Sequence, residues 1–298
     1  MYRSLNSYLR ETFGCKAYKL ALSTGCTCPN RDGTCGSRGC IFCNGSGDFA
    51  ARSSVSVAQQ IEEAKLLVAD KAKGGRYIAY FQDYTNTYAP ASVLEPLFLE
   101  AISRPEIVAL SIATRPDCLP PEILAMLKRL VQIKPVWVEL GLQTIHSASA
   151  AYLRRGYDLP VFDDAVRSLK VVGCSVIVHQ ILGIPGETPE MMVQTARYIG
   201  KCGADGIKLH LLHVLRGTDL EAEWQAGRVQ TLELDEYIDL LEACLRVLPP
   251  EMVIHRLTGD GAKRDLLAPL WSADKKRVLN EIRRRFEADD LEQGSDFH

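Results

Sequence analysis

Five of the ten cysteines in this 298-residue chain fall between Cys26 and Cys43. The stretch reads Cys26-Thr-Cys28-Pro-Asn-Arg-Asp-Gly-Thr-Cys35-Gly-Ser-Arg-Gly-Cys40-Ile-Phe-Cys43. Thiolates are soft metal ligands, and glycines let a backbone wrap closely round a guest. Free cysteines are often small buried hydrophobes, but that use does not crowd them into a polar loop. A disulfide knot suits small secreted domains. This chain is long, and residues 1–14 mix Arg3, Arg10 and Glu11 with apolar side chains, unlike a signal peptide. A structural zinc usually takes two Cys-x2-Cys pairs, and here only Cys40 and Cys43 have that spacing. An iron–sulfur cluster held by three thiols leaves one iron open to a small molecule, which makes it a reaction centre. A non-catalytic, zinc-stabilised binding or scaffold module stands as the alternative.

The composition is that of an ordinary globular protein, with 47% apolar and 24% charged residues. A net charge of −2 argues against a protein that coats nucleic acid, though a local basic patch could still meet RNA. No apolar run approaches the ~20 residues needed to span a bilayer. Ten thiols without a signal segment fit a reducing cytoplasm.

The elements that must position the cysteines follow one alternation. Strands are expected over 16–22, 77–81, 107–112, 136–142, 174–182 and 207–212. Helices are expected over 57–71, 92–103, 121–131, 162–172, 189–201 and 234–247, with Thr188 as an N-cap. Six strand–helix units in succession imply a parallel sheet, open or closed. A seventh strand over 252–257 and a helix over 273–288 follow, and 289–298 reads as frayed. The loop over 23–54 is long enough to be functional.

Strand alternation adds a second signal. Val136, Val138, Leu140 and Leu142 share one face, and Trp137, Glu139, Gly141 and Gln143 share the other. Lys208 and His210 likewise oppose Ile207, Leu209 and Leu211, while Ser175 and His179 oppose Val176 and Val178. Polar side chains on the inner face of several strands imply a shared cavity holding something polar. Gln82-Asp83-Tyr84-Thr85, Thr114-Arg115-Pro116-Asp117 and Gln143-Thr144 lie at strand ends, where parallel sheets bind ligands.

Cys40-Ile41-Phe42-Cys43 matches the end of the radical S-adenosylmethionine (SAM) signature, with an aromatic before the last cysteine. Eleven residues separate Cys28 from Cys40. That longer spacing resembles the branch containing the elongator catalytic subunit. The phrase Cys28-Pro29-Asn30-Arg31-Asp32-Gly33-Thr34 is similar to the YhcC/YtqA-type bacterial radical SAM proteins, and the likeness runs over nearly the whole chain. Cys26 and Cys35 are extra to the pattern. The resemblance implies an α/β fold, a partial (β/α)6 TIM-type barrel. Residues 1–250 would form this core, with the cluster loop at 23–54, and 251–298 a C-terminal extension of strand plus helices.

The resemblance also implies roles. Cys28, Cys40 and Cys43 would ligate a [4Fe–4S] cluster, with SAM on the fourth iron and Phe42 against its adenine. Glu139 and Gln143 belong to the fourth-strand segment near SAM. Arg155 would pair with the SAM carboxylate, His179 would contact the ribose, and Gly183 would lie in the turn beside adenine. Asp83-Tyr84-Thr85 stands where many members have glycines against the SAM amino group. Lys208, His210 and His213 fall on the side where substrate approaches. The implied reaction is reductive cleavage of SAM to methionine and a 5′-deoxyadenosyl radical, which abstracts hydrogen from an unreactive carbon. A low-potential donor, flavodoxin or ferredoxin, would supply the electron. Kinship with the elongator branch suggests RNA modification, without support from the overall charge.

Overall fold

The computed structural model describes residues 1–45, 55–72, 75–259 and 263–298. The last part of the expected cluster loop, 46–54, lies outside the described residues. After helix α1 (Leu5–Phe13), the chain alternates β1 (Tyr18–Leu22), α2 (Val57–Val68), β2 (Tyr77–Phe81), α3 (Ala91–Ile102), β3 (Ile107–Thr114) and α4 (Pro121–Leu130). It continues with β4 (Val136–Gln143), α5 (Ser147–Tyr152), α6 (Leu159–Val172), β5 (Ser175–Leu182), α7 (Pro189–Lys201) and β6 (Gly206–Leu211). A short β7 (Val214–Leu215), α8 (Asp219–Gln225), α9 (Leu234–Arg246), β8 (Val253–Arg256), β9 (Leu266–Ala268) and α10 (Lys275–Ala288) complete it.

Seven strands pair in the order β1-β2-β3-β4-β5-β6-β8, each parallel to its neighbour. All six expected strands and the expected seventh are present. The strand of the C-terminal extension, β8, joins the sheet beside β6, so the sheet continues across residue 250.

The outer face is aliphatic because helices cover it. Val136, Val138, Leu140 and Leu142 of β4 join Phe98, Leu127, Phe162 and Ile199 in one buried core. Local signals start and stop the helices. Ser56 and Thr188 cap α2 and α7 by accepting main-chain N–H bonds, and Gly173 ends α6 at φ +92°.

The sheet is curled into a half-barrel, and two inner-face contacts require it. Tyr80 of β2 accepts a hydrogen bond from Lys208 Nζ of β6 at 3.1 Å. In a flat sheet those strands would lie about 19 Å apart, at ~4.8 Å per strand. Lys19 of β1 reaches Glu139 of β4 at 2.6 Å, which a flat sheet would set about 14 Å apart.

One end of this trough is plugged. Leu5, Leu9 and Phe13 of α1, an element the sequence pattern did not reveal, pack on inward-facing Ile78, Ala109, Trp137 and Ile177. The C-terminal residues also differ from expectation. Instead of fraying, Leu291 and Gln293 are buried. Gln293 Nε2 donates to the carbonyls of Pro249 (2.7 Å) and Met252 (2.9 Å), which anchors the tail.

Candidate active site

At the carboxyl ends of the strands lies a cavity of about 320 Å³ whose wall combines the cysteine loop with the polar inner face of the sheet. Cys28, Cys40, Phe42 and Cys43 line it from the loop, Glu139, Gln143 and His179 from β4 and β5, and Lys208 and His210 from β6. Arg155 also lines it. A second cavity of about 240 Å³ shares Phe42, Gln143, His179 and His210 with the first and adds His213. Gly183 lines neither: its N–H meets Met192 Sδ, and a Cβ there would stand 3.1 Å from Leu232.

The floor centres on one carboxylate whose bonding is closed by protein. Glu139 is fully buried, and both its oxygens are taken. Oε1 accepts from Lys19 Nζ (2.6 Å) and Ser111 Oγ (2.7 Å), and Oε2 bonds His179 Nε2 (2.7 Å) and Lys208 Nζ. Burial pushes this carboxyl up, but Lys19 and Lys208 outweigh it and hold it well below the usual range, so it is ionised. His179 is driven down to about 4 by burial and then by Lys208, so its ring is neutral. The His210 ring stands 5.0 Å from that of His179, and its Nε2 is buried without a partner.

The rim is built differently. Arg155 spends its guanidinium on backbone, with Nη1 on the carbonyl of Thr144 (2.6 Å) and Nε on that of Tyr157 (3.0 Å). Arg115 is held bidentately by Asp117 and donates to the carbonyl of Arg155 at 2.9 Å. These bonds rigidify the 154–157 segment beneath the cysteines. Gln143 adopts φ +68° at a register shift at the end of β4, an irregular backbone of the kind that re-aims a side chain at a site.

Within the loop, Asn30 Nδ2 lies 3.3 Å from Cys40 Sγ, and Arg31 Nη2 donates to the carbonyl of Cys43 at 2.6 Å. Burial, and then Cys43, raise the Cys40 thiol to about 11. Thr85 Oγ1, buried in the same wall, has no partner. Sequence reasoning did not single out Asn30, Arg31 or Tyr80. Only the cysteine phrase around Asn30 and Arg31 hinted at the first two.

A lone tetrahedral ion needs its thiolates about 2.3 Å from a common centre. No three His, Cys, Asp or Glu side chains among the described residues converge in that way. Cys28, Cys40 and Cys43 instead border one hollow, a donor set that suits a group bulkier than one ion.

A parallel half-barrel with a three-thiol rim defines a class of enzyme, and comparison with known proteins bears this out. Residues 28–199 match the model of the radical SAM superfamily, and 204–288 that of the Radical_SAM C-terminal domain. The chain belongs to the radical SAM superfamily and is an enzyme of it. It is 42% identical to the uncharacterized protein YtqA of Bacillus subtilis, over 99% of this chain and 92% of that one. It is 39% identical to protein YhcC of Escherichia coli K12, over 93% of this chain and 89% of that one. The structure of Elp3 from Methanocaldococcus infernus superposes with a TM-score of 0.71 at 17% identity. That likeness covers 93% of this chain and 64% of the Elp3 chain, and shows the shared fold. The superfamily typically binds an iron–sulfur cluster and SAM. Among the described residues no helix is long and apolar enough to cross a membrane.

Proposed function

We propose that this enzyme holds a [4Fe–4S] cluster on Cys28, Cys40 and Cys43 and binds SAM in the cavity beneath it. The observation that carries this reading is the meeting of three thiols from one loop with the polar inner face of the half-barrel round a single hollow. When bound, the cluster and SAM supply reductive cleavage of the sulfonium and a 5′-deoxyadenosyl radical for hydrogen abstraction.

The chain's own residues do the positioning. Phe42 and Gln143, which border both cavities, would flank SAM. The unpartnered Thr85 hydroxyl, on the segment that follows β2, is our candidate for the SAM amino group. Because Glu139 is saturated, we assign it to holding His179 and Lys208 in place and not to SAM directly. Arg155 likewise shapes the segment under the cluster loop. His210 and His213, on the side of the smaller cavity, would meet substrate. We assign the core to 1–250, with 251–298 adding β8 to the edge of its sheet and packing the rest on it.

All ten cysteines are free, in keeping with a reducing cytoplasm, where flavodoxin or ferredoxin would deliver the electron. Anaerobic purification tests the reading. A brown protein with about four irons and four sulfides per chain, cleaving SAM under dithionite, is expected. A colourless protein carrying one zinc would replace this reading with the scaffold alternative.

A further inference from the structure

The geometry points to Asn30 as the residue that tunes the reduction potential of the cluster, acting through the sulfur of Cys40. This rests on the reading that Cys40 binds iron. Asn30 is only 4% exposed. Its Nδ2 donates to Cys40 Sγ at 3.3 Å and to the carbonyl oxygen of Arg154 at 2.7 Å. A carbonyl only accepts, as does a metal-bound thiolate. The amide must therefore present its NH2 end to both, which settles its orientation chemically.

Two more observations hold the amide there. The N–H of Gly39, the residue before Cys40, donates to the Asn30 carbonyl at 2.7 Å, so backbone and side chain of one asparagine both fix Cys40. Behind the amide sits Gly156 at φ +82°, where a Cβ would stand 2.8 Å from Asn30 Oδ1. The glycine leaves the room this amide needs. The next residue acts otherwise: Arg31 donates to the carbonyl of Cys43 and not to its sulfur, which makes it a positioning group.

The electronic consequence follows from charge. One-electron reduction adds a negative charge to the cluster and its thiolates, with no bond made or broken. A hydrogen bond to sulfur strengthens as the sulfur gains charge, so the Asn30 amide favours the reduced form. It therefore raises the potential and eases delivery of the electron from the low-potential donor.

The experiment uses the full chain, reconstituted anaerobically with iron and sulfide, as wild type, Asn30→Ala and Asn30→Asp. Iron content is measured first, then the midpoint potential by dye-mediated titration followed by EPR. With the amide gone, the one-electron reduction equilibrium of Asn30→Ala should fall roughly tenfold, about 59 mV. Asn30→Asp, which places an acceptor and a charge beside the sulfur, should fall further. Fully loaded variants with the wild-type midpoint would overturn the inference and leave the proposed function standing, whereas a wild type that holds no cluster overturns both. Should a variant fail to load, the wild type decides. With asparagine amides labelled with 15N, the reduced cluster should show a hyperfine coupling that survives Asn44→Ser, which removes the asparagine next to Cys43; no coupling, or a coupling lost with Asn44, overturns the inference.

Discussion

The floor and the rim of the cavity are built on opposite plans. On the floor, one carboxylate takes four donors from β1, β3, β5 and β6, and every partner is protein. At the rim, Cys28, Cys40 and Cys43 form no disulfide, the Cys40 sulfur takes an amide hydrogen bond from Asn30, and the Thr85 hydroxyl is buried without a partner. A self-satisfied polar network rigidifies a fold, whereas an unsatisfied one marks a place where a guest completes the bonding. The floor thus reads as a lock that sets the curl of the sheet, and the rim as the receptor.

The contrast is broken most decisively by substitutions that trade the two behaviours. Cys28→Ser, Cys40→Ser or Cys43→Ser should each abolish iron and sulfide binding and SAM cleavage while leaving the unfolding free energy within ~0.5 kcal/mol of the metal-free wild type. Cys174→Ser, in the core, should keep its iron. A rim serine that unfolds the protein, or a core serine that loses the cluster, would reverse the assignment.

Lys208→Met should do the opposite. It strips a donor from buried Glu139 and should cost about 3–5 kcal/mol in urea unfolding.

Acid should attack the floor next. The folded chain holds His179 neutral with its value near 4, against 6.5 for the free imidazole. The unfolded chain then binds the proton more tightly, so stability is lost as pH falls from about 6.5 towards 4. The loss approaches about 3 kcal/mol below pH 4, and His179→Gln should remove the roughly 2 kcal/mol of it that falls between pH 7 and pH 5.

The smallest effect separates the two plans most finely. Thr85→Val removes a hydroxyl with no partner and should leave the free protein unchanged or firmer by up to about 1 kcal/mol. The same change should weaken SAM binding about tenfold if that hydroxyl meets the ligand. Equal SAM affinity in calorimetry would remove Thr85 from the site.

The architecture was legible because strands and helices alternate along the chain and because β4, β5 and β6 set an aliphatic face against a polar one, as a covered sheet with a wet inner face requires. Helix α1 escaped because its apolar residues plug the trough instead of following a strand. The tail escaped because its anchor is a polar side chain, Gln293, bonded to backbone carbonyls.

At the site, the inner-face residues were readable one strand at a time, but their consequences were not. Glu139 looks available until β1 and β6 are brought to it, and only closure of the trough does that. Gly183 looked like part of a ligand-facing turn, yet its space is taken by Leu232 and Met192. Asn30 carries no pattern of its own, since its partner stands ten residues further on across a folded loop.

Lastly, the seven staves run from β1 to β8 without meeting edge to edge among the described residues. In a complete cylinder, stave number and shear dictate the bore. Here a missing stave releases the bore from that rule. The width of guest admitted beneath the cysteines is then governed by the side chains flanking the gap, and a cousin with the same strands could take a larger one by altering those alone.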